Sequence, residues 1–190
     1  MTMKSPMKSD SIQTFIIANE RNLRLAAVVS EAWSSAREQL VAGFLGRLRS
    51  YMGAKLKGWD SILWNRFFVD SESAFYLWKP QWKDQYSVAL QCSDYGTKMV
   101  FGVQRDARYI RSRPFSADVL SAVRAHHASA SSRTWWEAAV TMRSPAANWQ
   151  RPEVLWQMHK EDKFLKDVAE QLLEVAQATE GIIDSLISKP

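Results

Sequence analysis

The sequence predicts an α+β fold: a small antiparallel β-meander of three or four strands packed against long N- and C-terminal helices. Three observations carry this. The densest β-signals lie in one stretch, Phe67 to Asp106. Apolar residues recur at spacings of three and four on both sides of it, the period of a helix face. Turn chemistry, not helical pattern, separates the apolar runs inside it.

In chain order, Met1 to Asp10 is expected to be a disordered tail and residues 11–190 a single domain. Ser9, Asp10 or Ser11 supplies an N-cap. Leu25, Val28, Val29, Ala32, Ala36, Leu40, Phe44 and Leu48 then form one helical stripe. Asn19 to Asn22 is a candidate break, and Gly53 and Gly58 are candidate ends. Phe67-Phe68-Val69 offers a candidate first strand. Phe75 to Trp78 is a second and stops at Lys79-Pro80, because proline cannot donate to a ladder. Tyr86 to Gln91 and Met99 to Gln104 pair as a hairpin across Ser93-Asp94-Tyr95-Gly96-Thr97. A small sheet alone is marginal in water, so one face needs helical cover. Ser116 caps a helix containing Val119, Leu120 and Val123. Thr134 to Val140 fits strand or helix. Pro152 opens the final helical region, whose stripe is Leu165, Val168, Leu172, Val175, Thr179, Ile182 and Leu186. That stripe is expected to pack inside the fold, against the first long helix.

Length and composition narrow the class. The chain has 190 residues, 46% of them hydrophobic, enough for a sizeable core. No apolar run is long enough for a membrane-spanning helix, and no apolar segment follows Lys4 and Lys8 as a secretory signal requires. The single cysteine, Cys92, excludes an internal disulfide framework and fits a reducing cytoplasm. Net charge is +5, unevenly placed: residues 151–190 hold 5 Lys/Arg against 8 Asp/Glu, so the body is basic and the last helix acidic. A modest excess of this kind permits a polyanionic partner without requiring one.

Sequence chemistry argues against several enzyme classes. There is no GxxxxGK[ST], no GxGxxG opening a helix and no GxSxG. Zinc would have to lean on carboxylates, since three histidines and one cysteine are the only softer ligands. His126 and His127 are adjacent, about 100° apart on a helix, and cannot chelate together. The acid pairs Asp70–Glu72 and Asp94–Asp106 lack a companion lysine or histidine. No catalytic residue, metal or cofactor is therefore expected.

Two binding features remain. Arg105, Arg108, Arg111 and Arg113 crowd into nine residues around Tyr109, just before Pro114. Arginine presents a planar fork to phosphate oxygens, and tyrosine stacks on a base. The second is a tryptophan excess, nine in all. Most should build core. Trp78 and Trp82 bracket a strand end and Trp149 sits in a loop between prolines, positions that favour partial exposure.

The order of an aromatic strand with Trp78-x-x-x-Trp82, a hairpin ending in Phe101-Gly102-Val103, a helix, Trp135-Trp136, Trp149 and a long last helix resembles the C-terminal, non-catalytic portion of bacterial PD-(D/E)XK-like nuclease-family proteins. The likeness spans roughly Phe67 to Pro190. That superfamily's catalytic pattern needs D/E-x-K on a strand, whereas the match here, Glu161-Asp162-Lys163, falls in a helical pattern, so no catalytic residue carries over. The resemblance implies an accessory domain, of a kind found in bacterial or phage conflict systems. The residues point first to a non-enzymatic protein-binding module or adaptor, for which a homo-oligomer is allowed. The alternatives are a nucleic-acid-binding factor using the arginine segment with Trp78, Trp82 and Trp149, and a metal-dependent nuclease relative.

Overall fold

The computed structural model describes residues 9–64, 73–82, 84–106, 108, 113–143 and 146–188. Contacts divide the chain into two compact units, one ending at Gln39 and one running from Leu40 to Pro190. The first holds α1 (Ser9–Ile17) and the beginning of α2 (Glu20–Lys55). The break foreseen at Asn19 is present. The Asn19 side chain accepts the Asn22 N–H at 2.9 Å, as an N-cap does, while Asn22 Nδ2 donates to the Phe15 carbonyl at 2.7 Å.

The second unit is a six-stranded sheet with helices packed on it. Its strands are β1 (Asp60–Trp64), β2 (Ala74–Trp78), β3 (Tyr86–Ser93), β4 (Lys98–Arg105), β5 (Ser131–Arg133) and β6 (Trp136–Thr141). They are antiparallel in the order β1-β2-β3-β4-β6-β5. The expected three or four strands are thus too few. β1 was unforeseen, the ambiguous segment after Thr134 is strand β6, and β5 pairs with it. The candidate strand Phe67-Phe68-Val69 lies outside the described residues.

Side-chain alternation gives the sheet two faces. Phe75, Leu77, Val88, Leu90, Cys92, Met99, Phe101, Val103, Ala138 and Val140 join the main core. They meet the end of α2 (Val41, Phe44, Leu45, Leu48, Met52), α3 (Ala117–His126), α4 (Pro152–Lys160) and α5 (Asp162–Ile187). α5 lies along α3 and across β3 and β4. The final helical region is therefore two helices, parted at Glu161, and the stripe expected there faces the core: Leu165, Val168, Leu172, Val175 and Thr179 are buried. Phe44 stacks edge-on to Trp149 at 5.5 Å and contacts Phe164 at 5.4 Å.

One glycine is dictated by the sheet. Gly102 (φ 142°) lies beside β6, and a Cβ there would stand 2.0 Å from the Ala138 carbonyl oxygen. The close approach precedes a register shift between Val103 and Gln104, the local signature of a β-bulge.

Candidate binding face on the open side of the sheet

The face away from the helices is paved with small residues in its middle. Cross-strand neighbours run Ile62–Tyr76–Ala89–Gly102–Ala139, and Trp64 sits opposite Ala74. Ala89, Val100, Trp136 and Ala139 form a minor cluster with Tyr76 packed against it. A groove of about 580 Å³ opens on this side, lined by Ile62, Trp64, Tyr76, Trp78, Gln91, Gln104 and Trp135 among others. This is the size range of ordinary ligand sites. Trp64, Ile62 and Trp135 are 60%, 51% and 52% exposed. Across the groove, Gln104 Nε2 donates to Gln91 Oε1 at 2.6 Å. The indole N–H of Trp78 and the Gln85 side-chain carbonyl are buried with no hydrogen-bond partner among the described residues, and buried orphans of this kind call for an explanation.

One end of the groove is polar. Asp84, held at φ 65°, Gln85, Arg105 and Asp106 reach it. Arg108 closes on Asp106: its N–H and Nε donate to Asp106 Oδ1 at 2.8 and 3.0 Å, and its Nη2 lies 3.9 Å from Asp84. Hydrogen bonding from Arg108 holds the Asp106 carboxyl below its ordinary value despite partial burial. The Arg108 guanidinium is raised in turn by Asp106.

The structure separates the residues singled out in the sequence. Trp78 is half-buried and lines the groove. Trp82 and Trp149 are fully buried, which corrects their surface reading. Trp82 is held by Nε1 donating to Asp184 Oδ1 at 2.6 Å, and Trp149 by Phe44. Arg105 is also no surface residue. It is 6% exposed, donates to Glu137 Oε1 at 3.3 Å and to the Arg113 carbonyl at 2.9 Å, and its guanidinium sits 4.1 Å over the Phe115 ring. Glu137 is itself buried and its other oxygen accepts the Ser116 N–H at 2.8 Å. Arg113 Nη1 donates to the Leu186 carbonyl. Tyr109 and Arg111 lie outside the described residues. Glu161-Asp162-Lys163 occupies the junction of α4 and α5, with no strand context.

Sequence reading missed Ile62, Trp64, Tyr76 and Trp135 as a group. The available signal was the alternation of Asp-Ser-Ile-Leu-Trp at 60–64, which puts Ile62 and Trp64 on one side. In Trp135-Trp136 the turn sends Trp135 out and leaves Trp136 6% exposed. Among the described residues no group of three or more His, Cys, Asp or Glu side chains converges as a metal site, and no helix is long and apolar enough to cross a membrane. Comparisons with family models, with curated proteins and with solved structures found no match to this chain.

Proposed function

We propose that the chain is a non-enzymatic binding module that takes a protein partner on the open face of its sheet. The supporting observation is the exposed set Ile62, Trp64 and Trp135, which lines one groove together with Tyr76 and Trp78. Exposed tryptophans lining a concave surface beside aromatic neighbours, with a polar end, match the anatomy of interface hot spots. The partner offers an apolar or aromatic side chain to the groove and a polar or basic group to Asp84 and Asp106. A polyanion fits less well. Arg105 is committed to Glu137, Arg108 to Asp106, and the two aspartates would repel phosphate.

The test compares the intact chain with Trp64→Ala and Trp135→Ala as baits. A captured protein is identified, purified and titrated against each. Because both side chains are exposed, the variants should fold as the parent does, and each should weaken binding about tenfold or more, the effect of a hot-spot residue. Equal affinity for parent and variants would move the partner off this face. Salt-dependent binding of single-stranded nucleic acid, lost in the same variants, would replace the protein reading with the nucleic-acid one.

A further inference from the structure

We propose that the anchoring group of the protein partner is an arginine side chain, which enters between Trp78 and Trp135 and takes Asp84 and Asp106 from Arg108. This rests on the reading of the sheet face as a protein-binding groove. The strand order puts Trp78 at the end of β2, Gln85 just before β3, Asp106 just after β4 and Trp135 just before β6. Backbone bonds draw these ends together. The Asp106 N–H donates to the Gln85 carbonyl at 2.9 Å, and the Arg105 N–H donates to the Trp135 carbonyl at 3.2 Å. Trp78, Gln85, Asp106 and Trp135 all line the groove, and Asp84 lines it beside Gln85. The two tryptophans thus stand three strand spacings apart, roughly 14 Å between backbones, with acceptors between them. A guanidinium suits that space because it is flat, stacks on indole faces and carries five donors in a fixed fork.

Charge selects the occupant. Arg105 is neutralised by the buried Glu137. Among the described residues, that leaves Asp84 and Asp106 against Arg108, one carboxylate in excess. A cation is favoured beside them, and a carboxylate or phosphate is not. Gln85 adds a side-chain carbonyl with no hydrogen-bond partner. Arg108 shows which chemistry these acceptors hold. Its Nε and Nη2 donate to the two Asp106 oxygens at 3.0 and 3.2 Å, and Nη2 lies 3.9 Å from Asp84. The Arg108 and Asp84 side chains are 72% and 66% exposed, so the contact is weak and open to exchange with a second arginine. An arginine arriving from the groove adds stacking on the tryptophans, which a lysine ammonium, with no flat face, cannot supply in the same way.

The test titrates the intact chain, labelled with nitrogen-15, and follows the indole N–H signals of Trp78 and Trp135. The probes are the tripeptide acetyl-Gly-Arg-Gly-amide and its citrulline counterpart, which keeps the size and planarity of arginine without the charge. The arginine peptide should shift both signals, and the citrulline peptide should bind at least about tenfold more weakly, a difference of about 1.4 kcal/mol. Asp84→Asn should weaken the arginine peptide about two- to fivefold, the worth of an exposed ion pair, and Arg108→Ala should strengthen it by a similar factor. Both side chains are exposed, so these variants should fold as the parent does. Equal binding of the two peptides, no shift with either, or an Arg108→Ala chain that binds no better than the parent overturns the proposal. A single-stranded oligonucleotide that shifts the same signals, and binds more tightly to Asp84→Asn, overturns it in favour of a polyanion. A protein partner that still requires Trp64 and Trp135 while the arginine peptide fails leaves the sheet-face reading standing and overturns the arginine anchor alone.

Discussion

At the residue scale, the buried pair Arg105–Glu137 shows how far local chemistry can mislead. Four arginines near a proline read as a solvated or phosphate-binding loop. Only the fold reveals that β6 carries Glu137 to the end of β4, where it holds Arg105 and the Ser116 N–H together. Glu137 stood in the sequence beside Trp135-Trp136 with no hint of its partner, because the contact joins residues 32 positions apart. Breaking such a pair leaves an uncompensated buried charge, whereas replacing both members removes the desolvation cost as well. Glu137→Ala should therefore cost about 3–5 kcal/mol. The double variant Arg105→Met with Glu137→Leu should lie much closer to the parent. Urea melts of the parent and both variants check this, and a single variant losing under about 1 kcal/mol would show the pair to be solvated in solution.

At the element scale, the long strongly periodic segments were legible and the short ones were not. The stripe Leu165 to Thr179 reads as a helix face because burial on one side imposes its period. Strands of three to six residues, such as β1, β5 and β6, carry too few alternations to separate from loop or helix. Equally invisible was the clasp that docks the turn after β2 onto α5. Lys79 Nζ and Trp82 Nε1 each lie 2.6 Å from an Asp184 oxygen, Gln81 adds a bond at 3.3 Å, and Lys79 also reaches Glu180 at 2.9 Å. Burial pushes the Asp184 carboxyl up, but the hydrogen bonds from Lys79, Trp82 and Gln81 outweigh it and hold the group below its ordinary value. A carboxylate lowered on folding contributes stability above its unfolded pKa of about 3.9 and loses it as pH falls through the folded value. Asp184→Asn keeps an acceptor for the Trp82 indole but removes the titration. Its stability should therefore fall less steeply than the parent's below about pH 4. Parallel acid-denaturation curves for parent and variant would sink this account.

At the scale of the whole molecule, the apolar periodicity of α2 does not distinguish its two parts, yet the core does. The sequence shows one stripe from Leu25 to Leu48 because helical period records only that a face is apolar, not what covers it. Among the described residues, every buried hydrophobic side chain lies at Val41 or beyond. The second unit thus contains the sheet, its helical cover and the groove, and its stability should arise from its own core. A chain beginning at Ala36, one turn before Val41, should retain the sheet's far-UV and near-UV circular dichroism. It should melt cooperatively within a few degrees of the full-length chain. The shortened chain should bind any partner of the sheet face with unchanged affinity, since Ile62, Trp64, Tyr76 and Trp135 are all present. A broad, non-cooperative melt would mean that residues before Ala36 complete the core, and the division between Gln39 and Leu40 would not be one of stability.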